Sequence, residues 1–185
     1  SPDSVTYFRG GTVAYDRKAL QACGVPADIM IQHGVVSQQS ANAMADTMDV
    51  MTAAFDPVFG EAWTLPQLAG VMIMPGTWLT VARLDASPLG FALVRSVLDE
   101  CELLLLAVAP LRRGRGIGET LLRDSLRTAR RRGITSMNLE VRATNNAIQL
   151  YEKIGFEYVH RRPGYYRGSD GQLYDALSFR IDMGI

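Results

Sequence analysis

The sequence predicts one α/β domain with a mixed, mostly antiparallel central sheet flanked by helices. Three observations point there. Its 185 residues suit a single domain with one sizeable core. Helical and strand-like hydrophobic periods follow each other along the chain. The final strands read as a hairpin rather than as another strand–helix unit. At 48% hydrophobic and 21% charged residues, the composition is globular rather than disordered.

Residues 1–27 have weak periodicity and read as an N-terminal extension to a domain spanning 28–185, with Gly10-Gly11 marking a turn. "DIMIQHGVV", Asp28 to Val36, is a candidate first strand. From Ser40 to Phe55, Met44, Met48, Met51 and Phe55 recur at helical spacing, and the methionines read as core filler. After the aromatic-rich loop "FDPVFGEAW", Thr64 has the look of an N-cap, with Gln67 completing a capping box and Pro66 in the first turn. Leu68, Val71 and Met72 give that short helix an apolar side. "TWLTVARL", "LGFALVRSV" and "ECELLLLAVAP" are strand candidates. The last is almost continuously apolar, as in a strand covered on both faces, and Pro110 ends it. A helix from about Gly116 to Arg132 follows. "ITSMNLEVR" then alternates, with Met137, Leu139 and Val141 opposite Asn138, Glu140 and Arg142. A short helix from Asn145 to Lys153 closes at Gly155. "FEYVHRR" and "LYDALSFRIDM" form the last hairpin across "YYRGSDGQ".

The formal net charge is zero, which argues against a nucleic-acid-wrapping protein despite the local arginine clusters Arg112–Arg115 and Arg127–Arg132. Cys23 and Cys101 match no metal spacing and read as thiols of a reducing compartment. No run approaches the roughly 18 apolar residues of a membrane span, and the start lacks the pattern of a secretory signal. These readings imply a cytoplasmic protein with no membrane and no metal partner; His33 and His160 have no metal-ligand pattern and read as surface or packing residues.

The stretch "APLRRGRGIGETLL", Ala109 to Leu122, concentrates glycines and arginines at the start of a helix. Strand, glycine-rich turn and helix make an anion trap, because free N–H groups converge where the helix dipole is positive. A nucleoside-triphosphate loop needs Lys-Ser or Lys-Thr after its glycines; Glu119 and Thr120 stand there instead. A dinucleotide fingerprint counted from Gly114 needs a third glycine where Glu119 lies.

The remaining version is Arg-x-x-Gly-x-Gly, filled by Arg113, Gly116 and Gly118. It resembles the pyrophosphate loop of the GNAT superfamily of acyl-CoA N-acyltransferases. The second half, "LEVRATNNAIQLYEKIGFEYVHRRPGYY", resembles the C-terminal half of the ribosomal-protein alanine N-acetyltransferases within it, through Leu139 to Arg142, Thr144-Asn145, Leu150-Tyr151, Gly155-Phe156, Arg161 or Arg162, and Tyr165-Tyr166. The resemblance runs from about Asp28 to Met183. It implies the GNAT fold, acetyl-CoA as acetyl donor, and a protein N-terminus, that of a ribosomal protein above all, as acceptor. It places the cofactor against Ala107, Val108, Arg113, Gly114, Arg115, Gly116, Ile117, Gly118 and Asn145. It places the acceptor against Glu61, Trp63, Tyr165 and Tyr166.

Acetyl transfer to an amine needs a neutral amine, a polarised carbonyl and a proton for the departing thiolate, with no covalent intermediate if both substrates are held together. Two carboxylates compete for the base: Glu140, which the resemblance favours, and Glu102, which lies where histone-type members of the superfamily carry theirs. Tyr151 is the candidate acid, its alternative a core tyrosine. Asn145 resembles the cofactor-arm asparagine, its alternative a helix cap. The carbonyl would be polarised by a backbone N–H near Val108. Other acceptors (another N-terminus, a lysine or a small amine), a silent acyl-CoA sensor and a nucleic-acid module are the competing functions.

Overall fold

In the computed structural model the described residues are 12–13, 29–34, 38–84 and 87–184, with side chains described from residue 43 onward. Eight strands form one sheet: β1 (Thr12–Val13), β2 (Ile29–Gly34), β3 (Thr77–Leu84), β4 (Ser87–Val97), β5 (Glu100–Val108), β6 (Ser136–Arg142), β7 (Glu157–Arg167) and β8 (Leu173–Asp182). Their order is β1-β2-β3-β4-β5-β6-β8-β7. Every neighbouring pair is antiparallel except β5–β6. That parallel pair needs a crossover, which α3 (Ile117–Arg131) supplies. The other helices are α1 (Gln38–Ala54), α2 (Leu65–Met72) and α4 (Ile148–Ile154).

Strand alternation loads both faces of the sheet. On β4, Phe91 and Leu93 enter one core with Leu79, Leu68 of α2 and Val50 and Met51 of α1. Ala92 and Val94 enter the other, with Trp78, Met137, Leu139 and the α3 residues Leu121 and Leu122. On α1 the buried stripe is Ala43, Thr47, Val50 and Met51, with Met44 and Met48 half-buried at its margin. The methionine spacing therefore points one position away from the centre of the packed face. Thr64 caps α2 as its sequence suggests: Gln67 N–H donates to Thr64 Oγ1 at 3.4 Å and Gln67 Oε1 accepts from Thr64 N–H at 2.7 Å. Gly155, at φ +106°, closes α4.

Strand β5 is not regular. Its register against β4 shifts between Leu93 and Val94, leaving Leu104 without a partner. Leu103 consequently faces the α3 side, and Leu105 and Ala107 face the α1 side. Strand β7 is longer than the sequence suggests. It runs through Tyr165, Tyr166 and Arg167, and the turn is confined to Gly168–Gln172. A register shift between Arg162 and Tyr166 absorbs Pro163 and Gly164, and Asp175 Oδ1 accepts Gly164 N–H at 2.7 Å. The Gly10-Gly11 turn and Cys23 lie outside the described residues.

Candidate active site

Strands β5 and β6 pair only from Glu100↔Ser136 to Leu103↔Leu139, then diverge. A cavity of about 300 Å3 occupies the wedge. Its walls include Glu61 and Trp63 before α2, Leu104 and Leu106 of β5, Glu140 of β6, Asn145 and Tyr151 around α4, and Tyr166 of β7. Peptide groups along a strand alternate sides. Ala109 N–H donates to Leu89 O at 2.8 Å on the β4 side, and Ala107 pairs with Phe91 there. Val108 and Leu106 therefore turn their peptide groups toward the wedge. Ala107, expected beside the cofactor, is in register with Phe91 of β4, and Leu106 lines the cavity.

Beyond β5, a short 3₁₀ turn (Pro110–Arg112) leads into a loop that reverses at Gly114 (φ +73°) and Gly116 (φ +77°). Both angles favour glycine. Thr120 is the first residue to donate back into α3, to Gly116 O at 3.0 Å. Helix geometry leaves the N–H groups of Ile117, Gly118 and Glu119 pointing out of the helix start. The Ile117 side chain is core. A Cβ on Gly118 would meet Leu150 Cδ2 at 3.4 Å and Val108 Cγ2 at 3.5 Å. Arg115 is exposed. Arg113 has another occupation than the sequence suggests: its Nε donates to Val108 O at 3.2 Å and its Nη2 to Ala54 O at 2.9 Å. It fastens the loop to β5 and α1. Glu119 clamps α3 to α4, accepting Lys153 Nζ at 2.6 Å and Arg123 Nε at 3.0 Å.

Glu140 Oε1 accepts Ser178 Oγ–H at 3.3 Å and pairs with Arg162 Nη2 at 3.1 Å. Glu102 lies on the same face but is exposed and outside the cavity walls. Partial burial and the nearby Glu140 push its carboxyl up, against the opposing pull of Arg95 and Arg162. Tyr151 is 6% exposed and belongs to both core and cleft. Burial, then the charges of Glu61 and Tyr166, push its phenol far above the ordinary value. Tyr166 is pushed up to about 12 by burial and by Glu140 and Glu61. Tyr165 is 52% exposed and points away from the cavity, its ring edge-on to Tyr166 at 5.1 Å. Asn145 lines the cleft, and its Oδ1 accepts Ala147 N–H at 2.9 Å in the turn ahead of α4, whose own N-cap, Ala147, has no side-chain cap; the amide NH2 of Asn145 is left for a ligand.

Arg142 is placed by alternation on the polar side of β6 and stands in the Leu139–Arg142 block of the resemblance, with no role assigned to it. It is buried, its guanidinium 3.4 Å from the Phe59 ring centroid, and its Nε donates to Glu61 Oε1 at 3.1 Å. It thereby ties the Phe55–Trp63 loop to β6. Phe59 also meets Tyr174 edge-on at 5.3 Å, and Ser169 N–H donates to Val58 O at 2.7 Å. The signal in the sequence was slight: an arginine ending a strand, with a glutamate in a distant aromatic loop. Among the described residues no group of three His, Cys, Asp or Glu side chains could hold a metal ion, and no helix is long and apolar enough to cross a membrane.

A sequence model described as the acetyltransferase (GNAT) family matches residues 45–156, and one described as the CinA C-terminal domain matches residues 1–55. A [ribosomal protein bS18]-alanine N-acetyltransferase from Haemophilus influenzae is 41% identical over 89 residues, which cover 48% of this chain and 61% of that protein. The chain thus spans about three fifths of the length of that relative. Among solved structures, the ribosomal-protein-S18-alanine N-acetyltransferase from Escherichia coli superposes with a TM-score of 0.72 at 25% identity, over 84% of this chain and 96% of that one. A yncA acetyltransferase from Salmonella typhimurium, solved with its cofactor acetyl-CoA, shares the fold at a TM-score of 0.66 and 19% identity, over 84% and 94% of the two chains.

Proposed function

The chain belongs to the acetyltransferase (GNAT) family, and from that premise we propose that it transfers an acetyl group from acetyl-CoA to the N-terminal α-amine of a protein. The alanine start of a small-subunit ribosomal protein is the favoured acceptor, after the named activity of the relatives. The observation that carries the reading is the β5–β6 wedge, which brings Glu140 and Tyr151 into one cleft beneath free backbone groups of β5. The setting would be the cytoplasm, where ribosomal proteins are made.

The residues fit the donor. The Gly114–Gly118 turn presents N–H groups to a pyrophosphate, and Gly118 leaves open the space a side chain would take against Leu150 and Val108. Leu106 and Val108 offer peptide groups to an extended amide arm, and the Asn145 NH2 can add a donor. Acetyl-CoA supplies the thioester carbonyl. Within the chain, Val108 N–H polarises that carbonyl, and Glu140 accepts a proton from the incoming ammonium. The Tyr151 hydroxyl, held protonated by its surroundings, can give its proton to the leaving sulfur. Glu61 and Trp63 on one side and Tyr166 on the other would confine the acceptor. Direct attack needs only that both substrates share the wedge.

The test is a panel of peptides with free N-termini and internal lysines, incubated with acetyl-CoA and read by mass spectrometry. An alanine-starting peptide should gain one acetyl group at its α-amine. Glu140→Gln should lower kcat by about 10²–10⁴-fold with acetyl-CoA affinity unchanged. If no amine in the panel is acetylated, the reading fails.

A further inference from the structure

Glu140, Ser178 and His160 stand side by side on three neighbouring strands. Glu140 on β6 is in register with Ser178 on β8, and Ser178 with His160 on β7. Their side chains are in contact: Ser178 Oγ–H donates to Glu140 Oε1 at 3.3 Å, and Ser178 Oγ lies 3.3 Å from His160 Nε2. Ser178 is 8% exposed, whereas His160 is exposed on the edge strand of the sheet. The row leads from the interior of the cleft to bulk water.

We propose that Ser178 and His160 form a proton exit from Glu140. The proposal rests on Glu140 being the base. Once a peptide and acetyl-CoA fill the wedge, the cleft side of Glu140 is covered, and its proton must leave by another route. In the resting site His160 Nε2 accepts Arg162 Nε–H at 3.3 Å, so Nε2 carries the lone pair, and Arg162 must give it up for the Ser178 O–H, whose Oγ stands at the same 3.3 Å. After Glu140 takes a proton from the amine, its carboxyl O–H donates to Ser178 Oγ and the Ser178 O–H turns to His160 Nε2. In one shift the O–H bond on Glu140 breaks and a new one forms on Ser178. The old Ser178 O–H bond breaks and an N–H bond forms on His160. Glu140 is again a carboxylate, and the imidazolium releases its proton to water.

Charged and titratable groups surround the row. Arg162 from β7 touches both Glu140 and His160, its Nη2 3.1 Å from Glu140 Oε1 and its Nε 3.3 Å from His160 Nε2. Glu102 from β5 and Tyr166 from β7 lie near Glu140. Arg142 of β6 is held by Glu61, and Arg180 of β8 by Glu100 and Asp182. Glu157, in register with Arg180, stands farther along β7.

The test measures kcat of the full chain on an alanine-starting peptide in dilute buffer, with added imidazole, for wild type, His160→Ala, Ser178→Ala, the double variant and Glu140→Gln. His160→Ala should lose about tenfold in kcat, keep its KM for acetyl-CoA, and recover as imidazole rises. Ser178→Ala should lose a similar factor without recovery, and the double variant should lose little more than either single one. A wild-type kcat for His160→Ala overturns the proposal, as does a loss that imidazole does not restore, which would mean a structural role. Wild-type turnover by Glu140→Gln would instead overturn the base assignment itself, whatever His160 does.

Discussion

Tyr151 stands on the boundary between core and cleft, its ring 6.0 Å from Phe156 and 6.4 Å from Phe179. Tyr151→Phe keeps this packing and removes only the hydroxyl group. It should lower kcat about tenfold or more while leaving the melting temperature near the wild-type value. An unchanged kcat would make Tyr151 a core residue only. Cys101 gives the opposite case. Burial pushes its thiol up to about 12, and the nearby Arg132 offsets this only in part. The thiolate is the reactive form, so iodoacetamide at pH 8 should leave Cys101 unmodified in the folded protein and modify it in denaturant, as mass spectrometry would show. Residue conformations were legible where chemistry and spacing agreed, as at Gly116, whose φ is left-handed. They were not legible where a side chain serves a distant partner. Arg113 reads as a phosphate ligand, and nothing in its neighbourhood along the chain announces its contacts with the carbonyls of Val108 and Ala54. Arg142, on the polar side of its strand by alternation, is buried under Phe59.

At the scale of elements, the short-range signals were the dependable ones. The Thr64 capping box, the Pro110 stop and the Gly155 cap each depend on neighbours within four residues, and each stands where the sequence places it. Long-range effects escaped. The extra length of β7 depends on Asp175 gripping Gly164 from another strand, and the Leu104 bulge depends on β4. The α3–α4 clamp is also long-range, and it carries a pH dependence. Lys153, with help from Arg123, holds the Glu119 carboxyl below its ordinary value. A carboxyl lowered in the folded state stabilises the fold above its unfolded pKa of about 4.3 and loses that contribution as pH falls through the folded value. Lys153 is 64% exposed, so the effect should stay below about 1 kcal/mol. Glu119→Gln should thus melt slightly below wild type at pH 7 and level with it at pH 3, in thermal scans at low salt.

For the molecule as a whole, the mixed sheet with helices on both faces was foreseeable because each strand has its own hydrophobic period. The order of strands was not, since pairing depends on loops whose paths leave no local mark. The two cores predict how the chain tolerates shortening. Ala43, Val50 and Met51 of α1 cover Leu68, Leu79, Phe91 and Leu93. Removing residues 1–55 uncovers this face. A truncated core of this kind loses several times the roughly 2–5 kcal/mol of one large-to-small substitution, comparable with the whole stability of a domain. The shortened chain should aggregate or show no cooperative melting transition, by light scattering and calorimetry. A sharp transition at the wild-type temperature would mean that the second core is dispensable. We also propose that 28–185 is the folding unit, so that a chain beginning at residue 28 should melt cooperatively.

The unpaired Leu104 bears on how this protein can change over time. Because one residue there reverses which face of the sheet each later side chain meets, β5 behaves like a reading frame with a built-in shift. Losing a residue before Leu104 would disturb only the hairpin end near Glu100. Losing Leu104 itself would leave a regular ladder, with Leu103 still opposite Val94 and Leu105 still opposite Leu93. Losing a residue after Leu105 would instead send the rest of β5 to the other face and exchange the peptide groups offered to the wedge, leaving Glu140 and Tyr151 in place beside a donor strand facing the wrong way. Descendants of this chain should therefore hardly vary in the length of β5 beyond Leu104.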